Sequence, residues 1–202
     1  MLPMIDPATS AFTDAAAGSR PRRRCHPDDG LPRGRTAPVA VAYAIGSSVL
    51  GPALVAVSPS GICAILLGCD EQALVADLRA RLPRARLSRR GDLFAGWMTM
   101  VLAYIADPAA GLDLPLDPRG TDFECRVWQA LRDIPTGRTV SYADVAERIG
   151  AAGSARAVAR ACAANPIAVV IPCHRVLRGD GGLGGYRWGL EAKRALLAAE
   201  AA

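Results

Sequence analysis

The stretch Ser141–Pro166, SYADVAERIGAAGSARAVARACAANP, decides how the second half of this chain folds. Ser141 offers an oxygen to cap a helix over Tyr142–Ile149, and Gly150 can end it. Ala151-Ala152-Gly153 is a short turn. Ser154 can cap a further helix, which runs until Asn165-Pro166 stops it. Helix, short glycine-containing turn, helix is the helix-turn-helix pattern. The second of these helices is small-sided, carrying Ala155, Ala157, Ala159, Ala161, Ala163 and Ala164, and only Arg156 and Arg160 project far. Small side chains let a backbone approach a groove closely, while an arginine at the helix start reaches in. A helical hairpin packed in a core has the same pattern, so the pattern alone leaves both readings open.

Downstream of that stretch, the apolar run Ile167–Ile171 leads into Pro172-Cys173-His174-Arg175-Val176, and a glycine-rich loop, Gly179–Gly185, leads out. A final helix is expected over Gly189–Ala199, with Leu190, Ala195, Leu196 and Leu197 able to pack inward and Glu200 at its end. Upstream, Thr121–Asp133 reads as a helix: Thr121 and Glu124 have capping-box spacing, and Phe123, Val127, Ala130, Leu131 and Ile134 share one face.

Further upstream the signals change. Val39–Ile45, Ala53–Val57 and Ile62–Leu67 are short apolar runs separated by turn residues, and they read as strands. Glu71–Leu82 and Gly91–Ala106 have helical periodicity. This part carries no catalytic constellation and is expected to serve as a scaffold. The organisation follows: a disordered basic tail over 1–38 with no apolar period, a small α/β domain over 39–106, a proline-rich linker over 107–118, and a mainly α domain over 119–202.

The chain has 202 residues and a net charge of +5. Residues 119–202 carry twelve Arg and Lys against eight acids, so the positive field sits on the half that holds Cys173. A basic half favours a polyanionic partner. No apolar run reaches the roughly 18 residues needed to span a bilayer. No secretory signal is visible at the N-terminus, so the cytoplasm is the expected location. Reducing compartments keep thiols free, so Cys25, Cys63, Cys69, Cys125, Cys162 and Cys173 are expected to be unpaired and mostly small core hydrophobes. No pair is spaced C-x-x-C, and His26 and His174 are the only histidines, so no metal site is expected.

Cys173 is the candidate nucleophile. A free thiol titrates at about 8.5 and only the thiolate attacks well, so it needs a base, a cation or a dipole. His174 adjoins it, and a bridging water could carry the proton between them. A carboxylate could orient the imidazole, but spacing alone does not choose which. A buried inert cysteine beside a core histidine is the plain alternative.

The Pro172–Arg175 tetrad, with its apolar lead-in and glycine loop, resembles the O6-alkylguanine-DNA alkyltransferase family, also called methylated-DNA–protein-cysteine methyltransferases. The resemblance runs from about Ala42 to Glu200. It is strongest to the alkyltransferase half of bacterial adaptive-response proteins, through Gly61-Ile62-Cys63-Ala64-Ile65-Leu66-Leu67-Gly68 and Gly181-Gly182-Leu183-Gly184-Gly185-Tyr186-Arg187-Trp188-Gly189. It implies an α/β N-terminal domain with a small ribonuclease-H-like sheet, and a mainly α C-terminal domain with a helix-turn-helix of winged-helix kind.

The resemblance also implies roles. Cys173 would accept the alkyl group from O6-alkylguanine, and from O4-alkylthymine, in duplex DNA. His174 would be its base through water, oriented by Glu200. Tyr142 would hold the flipped guanine and donate a proton. Arg156 would fill the gap left in the duplex, entered from the minor groove, and Asn165 would be the hinge. The carbonyls of Cys173 and Val176 would accept from the guanine amino group. Arg175, Tyr186 and Lys193 fall in the substrate- and DNA-binding set. No cofactor is implied, and a monomer fits a protein that acts once. Adaptive-response members also carry an upstream cysteine-rich zinc domain; those cysteines are absent here, so repair without methyl-triggered activation is expected. Arg187 and Trp188 stand where other relatives have small residues, which implies a tight pocket preferring methyl to benzyl groups. From another class, a helix-turn-helix module or sensor with Cys173 as a reactive switch is the rival reading. A Cys–His hydrolase would need an oxyanion hole, and none is identifiable.

Overall fold

The computed structural model describes residues 26–27, 38–90 and 95–201. Most of the expected tail, and the first four residues of the helix expected from Gly91, lie outside the described residues. The first half contains β1 (His26–Pro27), β2 (Ala40–Ser48), β3 (Gly51–Ser58), β4 (Gly61–Leu67), α1 (Glu71–Arg81), β5 (Arg86–Arg89) and α2 (Ala95–Ala106). Strands β2 to β5 form one sheet in the order β4-β3-β2-β5, antiparallel except for the parallel pair β2–β5.

The three apolar runs are strands whose two faces are both covered, so alternation with polar residues is lost. Leu54, Ala56, Ala64 and Leu66 pack with Leu74 and Leu78 of α1. Their odd-numbered neighbours Val55, Val57, Ile65 and Leu67 face the other way, into a core shared with the second half. Strand β5, Arg-Leu-Ser-Arg, has only one apolar residue and carries little strand signal.

The outer edge of β4 is not left open. Ile62 N–H donates to the Pro115 carbonyl (2.8 Å), and Asp117 N–H donates to that of Ile62 (2.7 Å). Farther along, Ile65 N–H donates to Pro166 O and Ala168 N–H to Ile65 O, both at 2.9 Å. The expected linker is therefore paired to the sheet, and so is the approach to Cys173. A Cβ on Gly61, at φ +139°, would sit 2.4 Å from Pro115 O, so only glycine lets the linker come this close.

The second half contains β6 (Arg119–Gly120), α3 (Asp122–Arg132), β7 (Val140–Ser141), α4 (Tyr142–Arg148), α5 (Ala155–Ala164), β8 (Val176–Leu177) and α6 (Leu190–Glu200). Thr121 and Glu124 form the expected capping box on α3, and Ser141 forms another with Asp144 on α4. Ser154 differs from expectation: it occupies the N-cap of α5, but its side chain makes no capping bond. Packing holds that helix instead, with Trp128 Nε1 on α3 donating to Ala161 O (2.8 Å). One continuous cluster of buried side chains runs from Ala42 to Leu196. Cys63, Cys162 and Cys173 are buried and free, and Cys69 is exposed and free. Cys125 departs from the expectation of unpaired thiols, being disulfide-bonded. No described helix is long and apolar enough to cross a membrane.

Candidate active site

The segment between α5 and Cys173 is a run of turns pinned from two sides. On one side it hangs on the β4 edge. On the other it is held by Asn165, fully buried, whose Nδ2 donates to Ile171 O (2.8 Å) and to Cys173 Sγ (3.3 Å). Asn165 Oδ1 accepts from Ile167 N–H (2.9 Å). Between these anchors Val169 adopts φ 64°. A β-branched residue in the left-handed region costs about 1–3 kcal/mol and persists only where the surroundings enforce it. Cys173 then opens a single 3-10 turn over Cys173–Arg175.

Cys173 is 3 % exposed. Burial pushes its thiol up to about 11, while the Asn165 hydrogen bond and the Lys193 ammonium pull the other way. The thiol thus rests protonated and needs a base. His174 is fully buried, and burial lowers it below the ordinary histidine value despite Glu200, so its ring is neutral at pH 7. His174 Nε2 lies 2.8 Å from Glu200 Oε1, and Nδ1 is buried without a partner. A carboxylate beside Nε2 fixes the proton there, leaving Nδ1 as the acceptor. Burial raises Glu200, but hydrogen bonds from His174 and Arg175 outweigh it and hold its carboxyl down at about 2.

Arg175 requires a correction. Grouped with the DNA-binding residues on sequence, it is 4 % exposed and wholly engaged. Its Nε and Nη2 donate to the two oxygens of Glu200 (2.9 and 2.8 Å), Nη1 to Ile134 O (2.6 Å) and Nη2 to Thr136 Oγ1 (3.2 Å). The turn over Cys173–Arg175 directs it inward, where it fixes Glu200 rather than facing a phosphate. Lys193 is likewise fully buried, its ammonium donating to Val176 O (2.6 Å) and Leu183 O (2.5 Å). It clamps both ends of the glycine loop from inside. The Val176 carbonyl is thus already engaged, with one lone pair left.

The loop closes over this centre. A Cβ on Gly184, at φ +65°, would lie 2.9 Å from Tyr142 Oη. Tyr142 opens α4, and burial raises its phenol to about 12, so it is a donor at neutral pH. Tyr186 stands edge-on to His174 (6.4 Å between rings) and to Trp188 (5.2 Å), with its Oη buried and unpartnered. Outside the loop a cleft of about 710 Å³ is lined by Tyr142, Arg156, Ala159, Arg178, Gly184 and Arg194, among others. Arg156 is exposed at the start of α5. Arg178 and Arg194 went unmarked in the sequence. The one follows β8 and the other sits beside Lys193, and only the fold brings them opposite Arg156. Among the described residues no group of three or more His, Cys, Asp or Glu side chains could hold a metal.

Comparison with known proteins gives one consistent result. The model of the 6-O-methylguanine DNA methyltransferase DNA-binding domain matches residues 122–202. The Bifunctional transcriptional activator/DNA repair enzyme Ada of Escherichia coli is 50 % identical over 163 residues, which is 81 % of this chain and 46 % of that protein. The chain thus spans less than half the length of that relative. A methylated-DNA--protein-cysteine methyltransferase of Methanosarcina acetivorans is 35 % identical over 158 residues, 78 % of this chain and 97 % of the relative. Among solved structures, that of Mycobacterium tuberculosis OGT in complex with DNA superposes with a TM-score of 0.68 at 39 % identity, covering 79 % of this chain and 92 % of that one.

Proposed function

From the premise that this chain belongs to the methylated-DNA–protein-cysteine methyltransferase family, we propose that it repairs DNA by taking the alkyl group of O6-alkylguanine onto its own Cys173. The observation that carries this is the His174–Glu200 contact at 2.8 Å, which leaves Nδ1 as an unpartnered acceptor on the residue that follows a buried, protonated thiol.

The geometry supports the following chemistry. The Cys173 thiol gives its proton to His174 Nδ1 through water. Glu200 stabilises the imidazolium that forms, and Arg175 keeps Glu200 ionised. The sulfur attacks the alkyl carbon in line, a carbon–sulfur bond forms, and the O6–carbon bond breaks. Its electron pair stays with the guanine, and Tyr142, a protonated phenol at the pocket wall, supplies the proton that makes the leaving base neutral. The product is a thioether with no route to hydrolysis, so each molecule acts once. No cofactor enters this scheme. O4-alkylthymine, which presents the same alkyl–oxygen bond, is a second substrate.

A base inside a duplex cannot reach a sulfur 3 % exposed, so it must be extruded, at roughly a few kcal/mol of unstacking and unpairing. Arg156 fills the gap, and the alanine-rich α5 enters the minor groove, with α4 and α5 acting as the helix-turn-helix of a winged-helix-like domain. The four-stranded sheet with α1 on one face supports reading the first half as ribonuclease-H-like. The same reading has the protein act in the cytoplasm, as a monomer on DNA, with affinity mainly from phosphates.

Intact mass after mixing with a duplex containing O6-methylguanine tests the proposal. The expected result is a gain of one methyl group mapped to Cys173 and absent in Cys173→Ala. An unchanged mass with a competent duplex overturns it.

A further inference from the structure

We propose that Asp77, on helix α1 of the first half, is a positioning residue that sets which alkyl groups the pocket accepts; this rests on the alkyl-transfer reading above. Asp77 touches no reacting atom. Its Oδ1 accepts from Arg187 Nη2 at 2.6 Å, across 110 positions of sequence. Arg187 lies between Tyr186 and Trp188, the two aromatic residues of the loop over Cys173. Those rings meet edge-on at 5.2 Å, and Tyr186 in turn meets the ring of His174. Trp188 packs against both core clusters, so it wedges between α1 and the catalytic half.

The same carboxylate has a second arm. Its Oδ2 accepts from Arg81 Nε at 3.2 Å, one turn along α1, and Arg81 Nη1 donates to Ala164 O at 3.2 Å. Ala164 is the last residue of α5 and precedes Asn165, the residue that holds Cys173. Asp77 therefore ties the pocket loop to the end of the small-sided helix through two guanidiniums. Arg81 is the more buried of the two side chains, 16 % exposed against 36 % for Arg187. The loop-side contact is the one that can open without disturbing the core.

With the tie intact, Trp188 is held as a wall and the space beside Cys173 suits a methyl group. With it cut, Lys193 and the ring contacts still hold the loop, but Arg187 is no longer tied to α1, and it and Trp188 can shift to admit a larger group. A helix in the scaffold half thereby controls substrate size in the other half.

The experiment compares rates of alkyl transfer to the full chain from one duplex sequence bearing either O6-methylguanine or O6-benzylguanine. In Asp77→Asn the benzyl-to-methyl rate ratio should rise by about fivefold, the upper end for an ion pair of this exposure. Arg187→Gln cuts the same contact from the loop and should give the same rise, so the test stands even if Asp77→Asn folds poorly. The double variant should go no further than either single one, and Asp77→Glu should restore the wild-type ratio. Glu71→Gln, which breaks an α1 ion pair that does not involve Asp77, to Arg89 at 3.0 Å, should leave the ratio alone. A ratio unchanged in Asp77→Asn and Arg187→Gln, effects of the two that multiply, or an equal shift in Glu71→Gln overturns the proposal. If the wild-type protein transfers methyl to Cys173 and the ratio does not move, only the Asp77 tie falls. If it transfers none, the alkyl-transfer reading falls with it.

Discussion

Glu200 is where the proposed chemistry and the stability of this fold meet. It is buried against His174 and Arg175 with its carboxyl held at about 2, well under the ordinary 4.5. A carboxyl lowered on folding stabilises the protein above its unfolded value and loses that contribution as pH falls through the folded one. His174 adds to the same slope from about 6.5 downward, because its folded value is lowered and the unfolded chain takes up the proton first. Removing one partner of a buried ion pair costs about 3–5 kcal/mol, much of it the charge left behind. Glu200→Gln should therefore be less stable than wild type at pH 7 by roughly that amount, leaving Arg175 without its carboxylate. The gap should stay full down to about pH 4.5 and close toward pH 2. Urea midpoints of both proteins across that range check it, and a gap of constant size would mean that Glu200 is not the titrating group. The sequence made Cys173 and His174 legible because they are adjacent. Glu200 entered only through a resemblance, since spacing cannot choose among carboxylates. The inward turn of Arg175 was not legible at all: a 3-10 turn brings it and its sequence neighbour His174 onto the same Glu200 carboxylate.

Helix α5 shows what an element adds to its residues. Its alanines leave Arg156 as the long side chain at the cleft, opposite Arg178 and Arg194. If Arg156 fills the gap of an extruded base, its value exists only where there is a duplex to fill. Arg156→Ala should then slow transfer from a duplex by tenfold or more, on the order of the few kcal/mol needed to flip a base. Reaction with free O6-benzylguanine should stay within about twofold of wild type, as expected of an exposed surface change within ±0.5 kcal/mol. Single-turnover rates with the two substrates decide it, and equal losses in both would reduce Arg156 to general support of the fold. The helices were readable because their ends are local chemistry, such as the Thr121–Glu124 and Ser141–Asp144 boxes. Strand β5 was not, because Arg86–Arg89 is polar and gains its place from β2, more than forty residues earlier.

At the scale of the molecule, the edge of β4 joins the halves. It receives the 115–117 segment at one end and the 166–168 segment, the approach to Cys173, at the other. The sequence marks residues 107–118 as a linker because three prolines interrupt any periodicity. It does not show that Pro115 and Pro166, which lack N–H groups, still offer carbonyls to the same strand. Nor can it show that the Ile65 side of the sheet and the Leu196 side of α6 share a core. A shared core and a shared edge predict that the two halves unfold as one cooperative unit. Leu196→Ala should thus cost about 2–5 kcal/mol, the range for a fully buried leucine. The loss should be felt in the sheet as well as in α6, because the last helix cannot loosen alone. Amide exchange at Val55 and Ile65, measured under conditions where exchange reports the opening equilibrium, should quicken by the same free energy as exchange within α3. If the sheet amides keep their wild-type protection while those of α3 lose theirs, the halves unfold separately, and the β4 edge is a contact between two domains.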